Sequence, residues 1–474
     1  MAFTLPVSFF AFSIYRHYRT ASLEIDNFFP LHRVLNIRQY ASTTIATGLS
    51  LSTVFIAVLD LSPVFKIYLI FAAITYALGL FLLYILADRI LARNPDNLTL
   101  PGFLGDKYTD KSLSFISGLF VLIGYMSIFG LEVLVGTKIL GVYFPGFGQS
   151  IGFFYVIFMI GYTAFNGYNA IIATDKIQLL LVSLSVGALV TYSFYMLSHD
   201  KSSVDTTELL SIDFEAFIAF IVGISVINIF GAICDTGTWQ RLCSVEKTNI
   251  AKRSLIVSFI AAFVLWMALI FIGIVASTVI PATDYQVASS ISNKLLLYLA
   301  EHDPLRNLVL MLFLMGLFSA MISTADSILL VATQIFSFNI LWEKRKLRLS
   351  KVRFVVITIG FFSYVIFLAF SYYGIDVVEA VFAIFGAHLS LLPSVLYALF
   401  NKDQEIGSLL GRFATVSIIL GYLASWSMVL IPNQIQAMSV LYSSPIVALS
   451  VSMVIFLVGV AYAKWKKHNK FSHK

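Results

Sequence analysis

Charge is what this chain has least of. Only 12% of its 474 residues are Asp, Glu, Lys or Arg, whereas 59% are hydrophobic and the mean hydropathy is +0.90. Soluble domains carry roughly twice that share of charge, so a water-soluble globule is excluded. Cysteine is nearly absent as well. Cys234 and Cys243 are the whole complement, too few for a disulfide framework and without a CxxC or His/Cys spacing that would hold zinc, so they read as packing residues. No polar stretch is long enough to bury a core of its own, which leaves any activity to the apolar part of the chain.

In place of these features stands a succession of apolar runs of about 20 residues. Each can cross ~30 Å of hydrocarbon as a helix rising ~1.5 Å per residue. Spans are expected near 41–60, 62–87, 112–141, 149–171, 177–197, 213–234, 254–280, 304–340, 353–373, 376–400, 412–431 and 443–463. Lipid offers no partner to open strand edges, so the fold class is an all-α membrane bundle. The opening "FTLPVSFFAFSIY", closed by Arg16, is either a short thirteenth span, a shortened remnant or an interfacial segment. It lacks the basic start and small-residue cleavage site of a removable signal peptide.

A net charge of +6 and a pI near 9.0 invite a nucleic-acid reading, but position answers it. If successive spans alternate in direction, most of the 31 lysines and arginines fall on one side, in segments 16–40, 88–112, 172–176, 236–253, 341–353, 400–412 and 464–474. The positive-inside rule makes that side cytoplasmic, with the tail "KWKKHNKFSHK" included and the acidic loops "HDKSSVDTTELLSIDFE" and "PATDYQ" outside. The basicity is an orientation signal for a multi-pass protein, expected in the plasma membrane, and no nucleic-acid partner is implied.

Three spans carry polar residues at depth. In "SAMISTADSILL" (319–330), Ser319, Ala320, Ser323, Thr324, Asp326 and Ser327 fall within an arc of about 160° on a helical wheel. An ionisable residue at that depth faces protein or water. "STTIATGLSLST" (42–53) holds Ser42, Thr43, Thr44, Thr47, Ser50, Ser52 and Thr53 with Gly48, a density that weakens helix preference. A local break there frees carbonyl oxygens for a cation. In "VGISVINIFGAICDTGTWQR" (222–241), Gly223 and Gly231 bracket Asn228, and Asp235 follows at the inner end of span 213–234. For the hydroxyls and glycines alone, close helix packing is the simpler reading. Two interrupted helices separated by four spans suit a five-plus-five inverted repeat. Carbonyls and hydroxyls replace the water shell of a monovalent cation such as sodium, whereas a divalent ion asks for several carboxylates.

Five stretches in order then resemble the solute:sodium symporter family, the group of the sodium/glucose and sodium/proline co-transporters: "LTLPGFLGDKY" (98–108), "ATDKIQ" (173–178), "DTGTWQRLCSVEKTNIAKR" (235–253), "MISTADS" (321–327) and "IFGAHLSLLPSVLYALF" (384–400). The resemblance covers roughly residues 25 to 400. It implies a LeuT-like 5+5 inverted-repeat bundle of about 12–13 helices. A short hydrophobic segment and linker (1–40) would precede repeats at 41–197 and 213–400, with two peripheral helices (412–463) and a basic tail (464–474) following. It also implies a main sodium site formed by backbone carbonyls of Thr53, Ile56 and Ala320 and the hydroxyls of Ser323 and Thr324. Asp175 matches the carboxylate of a second sodium site found in some members, although one further hydroxyl expected there falls on Ala320. An N-cap before "KIQLLL" is the other role open to Asp175.

For substrate the resemblance points to Asp60 and Asn228, and His388 in "GAHLSLLP" either lines the pathway or is a hydrogen-bonded structural histidine. Gly231 stands where sugar-binding members have an aromatic gate, which disfavours a sugar. An ionised Asp60 would suit a small solute bearing an amine or other polar group. Glu132 and Lys138 either serve transport or snorkel to the interface, and Asn339 stands where an acidic residue is common. The expected function is sodium-coupled import of a small polar solute by alternating access. Two readings stay open beside it: proton coupling through Asp326, Asp175, Asp60 and His388, and a solute sensor that does not transport. No nucleophile, base and orienting residue share adjacent turns, so an enzyme is not expected.

Overall fold

The computed structural model describes residues 28–29, 35–94, 99–144, 146–199, 212–280, 290–301, 303–342, 348–401, 406–430 and 442–472. The segment 1–16 and most of both acidic loops lie outside the described residues. Within them the chain is almost entirely helical: α1 Ile37–Gly48, a π-helical turn Leu51–Ile56, α2 Ala57–Phe65, α3 Ile70–Arg93, α4 Leu100–Lys107 and α5 Lys111–Gly141. There follow α6 Gly148–Phe165, α7 Gly167–His199, α8 Phe214–Cys234, α9 Thr236–Cys243, α10 Thr248–Val279 and α11 Ile291–Leu299. The last part comprises α12 Pro304–Ile335, α13 Leu349–Tyr373, α14 Val377–Leu389, α15 Leu392–Phe400, α16 Ser408–Leu430 and α17 Ser444–Ser472.

Helix starts are marked in the sequence. Asn36 and Gln39 form a reciprocal capping box on α1, and Asp110, Asp213, Asp303 and Asp376 each accept from backbone N–H groups of the turn they open. Two boundaries differ from expectation. The helix expected to end before 172–176 instead breaks at Gly167 (φ 66°), a backbone region open to glycine and closed to side chains. "ATDK" contains no breaker, and Thr174 bonds back to the Ala170 carbonyl at 3.1 Å. Asp175 is therefore inside α7 and caps nothing. The turn expected near residue 61 falls at Lys66 (φ 50°); residues 60–62 stay helical, Ser62 bonding back to the Val58 carbonyl at 2.6 Å and Asp60 reaching Ser292.

Eleven stretches are long and apolar enough to cross a membrane. One of them, Leu51–Arg93, has 43 residues, which is roughly 65 Å of helix and twice a hydrocarbon thickness. The turn at Lys66 divides it, so the described residues make twelve crossings, the first formed by α1 and α2 on either side of a break. Burial separates inner from outer helices. The apolar windows of Val377–Phe400, Lys111–Gly141 and Pro304–Ile340 are 83%, 78% and 67% buried, against 44% or less elsewhere. These three inner spans meet around the break in the first crossing, and α12 makes its most extensive contact with α6 and α7.

The α3–α8 contact is set by small residues. A Cβ at Gly79 would collide with the Asn228 carbonyl on α8, and the Asn228 side-chain amide donates to Ala72 O (3.0 Å) and Thr75 Oγ1 (3.2 Å) on α3. Gly79→Ala is expected to lower stability in detergent by about 1–3 kcal/mol through overpacking. Gly161→Ala, where a methyl meets no atom within 4 Å, should change it by less than about 0.5 kcal/mol. Thermal melts of the two variants check this, and equal melting temperatures would contradict the packing.

Candidate functional site: a break in the first crossing beside a polar cavity

The first crossing is interrupted between Gly48 and Leu51. Leu49 closes α1, its N–H bonding to Ile45 O and Ala46 O, and Ser50 opens the π-helical turn. The Ser50 hydroxyl accepts from Thr53 N at 3.1 Å. Its carbonyl takes both Val54 N (3.3 Å) and Phe55 N (2.9 Å). Hydroxyl side chains compete for backbone groups in this way, and "TGLSLST" supplies them in succession.

The polar stripe of α12 lies against this break. Every residue from Ser319 to Ile335 is buried. Thr324 Oγ1 donates to Thr47 O at 3.4 Å, and the Thr47 and Ser327 hydroxyls are 3.2 Å apart. Ser323 Oγ donates to Asp175 Oδ1 at 2.7 Å, and the Thr43 hydroxyl donates to Asp175 Oδ2. Hydrogen bonds between oxygen atoms thus link α1, α7 and α12. Asp326 is fully buried on the same stripe.

The other expected site residues are distributed unevenly. Thr53 is half-buried and borders the cavity described below, whereas Ile56 is buried and does not. Both lie past the break, in the π-helical turn, and the α12 hydroxyl of Thr324 meets the carbonyl of Thr47 instead. Ala320 is buried on α12 and Ser319 bonds back to Met315 O at 2.7 Å. Asp60 is not at the cavity. Its carboxylate accepts from Ser292 N (2.8 Å) and Ser292 Oγ (3.1 Å) at the start of α11, which removes the reason for expecting an amine on the solute. Asn228 borders the cavity, but its amide hydrogens are committed to α3. His388 borders it too, packed on Gly124. At Gly231 a side chain would meet open space. Lys138 is exposed, as snorkelling requires, and Asn339 donates to Ser114 Oγ at 3.1 Å.

Glu132 does not snorkel. It is 0% exposed, and its Oε1 accepts from the hydroxyls of Ser50 and Ser52 (the latter 2.6 Å) and from Ser52 N at 3.2 Å. A carboxylate on α5 therefore caps the outer half of the broken helix, where N–H groups and helix dipole both favour negative charge. The sequence held a signal for it: an acid in the middle of a 31-residue apolar helix opposite a serine-rich break.

Between the break, α8 and α14 lies a cavity of about 210 Å³. Apolar side chains such as Ile128, Ile224, Trp266 and Phe385 form most of its wall, with Thr47, Ser327, Asp235 and Arg241 among the polar groups. Asp235 sits where α8 gives way to α9, a second interruption. It is held by the Tyr125 hydroxyl on one oxygen and by Thr238 N and Oγ1, both 2.6 Å, on the other. Gly237 N donates to the Tyr125 oxygen at 2.9 Å.

No curated protein matches the sequence. Solved structures match the fold. A Na+-coupled sialic acid symporter in a substrate-bound outward-open state superposes with TM-score 0.73 at 15% identity, covering 96% of this chain and 97% of that one. Mhp1, a nucleobase-cation-symport-1 family transporter, gives 0.56 at 14% identity (93% and 96% covered). The Eremococcus coleocola manganese transporter gives 0.55 at 12% (93% and 100% covered). The bundle is accordingly LeuT-like. The profile of the "Sodium:solute symporter family" matches residues 62–415, well over half of the chain and including the α12 stripe and the cavity wall from α3 to α14. The chain belongs to the sodium:solute symporter family.

Proposed function

We propose that this sodium-coupled symporter binds its driving ion between the end of α1 and the stripe of α12. The contact of Thr324 with the Thr47 carbonyl carries the reading, because it brings a carbonyl at a helix break against a buried hydroxyl whose neighbour in sequence, Ser323, also carries one. The ligands we favour are Ala320 O, Ser323 Oγ and Thr324 Oγ1, as family resemblance implies, with Thr47 O taking the part first expected of Thr53 and Ile56. Neutral oxygens suit sodium, since they replace its hydration while leaving it able to depart. Asp175 orients Ser323 and would hold a second sodium once the Thr43 and Ser323 hydroxyls turn aside.

The breaks after Gly48 and at Asp235 each fall in the first crossing of a half, 41–197 or 213–400, and both border the same cavity. This supports an inverted-repeat pair rocking about the site. Sodium bridging α1 and α12 favours the conformation that presents both sets of ligands, and a small-molecule solute then permits closure. At ~100 mV each inward charge contributes about 2.3 kcal/mol to accumulation. The basic segments and C-terminal tail are assigned to the cytoplasmic face of a plasma membrane.

Purified Ser323→Ala/Thr324→Ala protein is expected to lose 22Na+ binding by at least about tenfold in affinity while remaining monodisperse. Wild-type affinity in that variant would remove the ligand assignment. Glu132→Ala leaves Ser50, Ser52 and one N–H without their acceptor, a cost of about 1–3 kcal/mol. Its half-saturating sodium should rise about tenfold, and Glu132→Gln, which keeps an acceptor oxygen, should rise less. Equal behaviour of the two variants would refute the capping role.

A further inference from the structure

The cavity contains one charged group without a partner. Arg241, on α9, is 8% exposed and borders the cavity. Among the described residues its guanidinium makes no hydrogen bond or ion pair. The other charged residue on the wall, Asp235, keeps its negative charge but has both oxygens hydrogen-bonded, by Tyr125 and Thr238, and makes no ion pair with Arg241. The N-terminus of α9 is spent too, with Gly237 N on the Tyr125 oxygen and Thr238 N on Asp235. Asp175 is held by Thr43 and Ser323, and neither it nor Asp326 borders the cavity.

A guanidinium presents five donors in a planar fork matched to a carboxylate. A buried guanidinium with no hydrogen-bonded partner is costly; the charges of Asp175 and Asp326 act on it through space and relieve part of that cost, and an anion entering the cavity relieves more. Apolar atoms make up most of the wall's surface, which disfavours a polyol whose every hydroxyl needs a partner. The volume, below the ~300 Å³ typical of drug-sized pockets, limits the solute to a small molecule.

Resting on the symporter reading above, we propose that the transported solute is a small amphipathic carboxylate: its acid group forks onto Arg241 and its apolar body lies against Trp266, Ile128 and Phe385. Sodium at the neighbouring break offsets the acid's charge, so ion and solute favour each other's binding.

The test uses purified protein at fixed sodium, with thermal stabilisation as readout. The probes are matched pairs, isovalerate and isovaleramide, benzoate and benzamide, phenylacetate and phenylacetamide, together with glucose, urea and choline. Sodium-dependent stabilisation by carboxylates is expected, with the matching amides at least about tenfold weaker. Arg241→Gln should weaken the best carboxylate by about 10- to 100-fold, its retained 22Na+ binding marking it as folded. Should that variant not fold, Arg241→Lys, which keeps charge without the fork, is expected to weaken the same carboxylate by about tenfold. The proposal is overturned if amides, glucose, urea or choline stabilise as well as the carboxylates, if no carboxylate does, or if the foldable Arg241 variant keeps wild-type affinity. Absence of 22Na+ binding in the wild type would instead count against the symporter reading.

Discussion

Oxygen atoms gathered at one interrupted helix are the constraint on which the rest of this bundle depends. A helix in lipid must satisfy its own backbone, and a break in one is tolerated only where protein or an enclosed polar space supplies the missing partners. Here the partners come from three directions. Ser50 and its neighbours fold back on the local backbone, Glu132 caps the outer half, and the α12 stripe meets the inner half at Thr47. The three most buried spans converge on this place for that reason. Leu-rich faces are left for lipid, as the exposed Leu180, Leu184, Leu457 and Phe354 illustrate.

The same arrangement suits the proposed ion site to opening within a rigid bundle. A carbonyl and hydroxyls held at 3.4 Å and 3.2 Å across an α1–α12 boundary bind each other weakly. A cation between them would outcompete those bonds and tie the two helices together. Asp175, inside α7, connects to the same group through Ser323 and Thr43, so a change at the break is passed to a third helix. Occupancy of one small site can thereby bias the position of whole spans.

Much of the fold was legible in sequence because lipid simplifies it. Twelve apolar runs gave twelve crossings, and the α12 stripe was visible as serine, threonine and aspartate where leucine would be cheaper to bury. Boundaries were less legible. Gly167 outranks "ATDK" as a breaker through its φ of 66°, a backbone property that composition does not reveal. Register across the break was least legible of all. Seven hydroxyls between Ser42 and Thr53 mark the region without saying which carbonyl meets α12, and that depends on where the π-helical turn begins. Asp60 looked like a solute ligand from its place beyond the break, yet Ser292, more than two hundred residues away, claims it. Arg241 belongs to a basic cytoplasmic segment by charge counting, and only the turn at Asp235 brings it to the cavity.

The central claim, that sodium joins the end of α1 to the α12 stripe, is tested most directly by hydrogen–deuterium exchange of the purified protein in sodium against potassium. The account predicts that peptides covering 47–56 and 320–327 gain protection together in sodium. Unchanged exchange in both segments, or protection of one without the other, would contradict it.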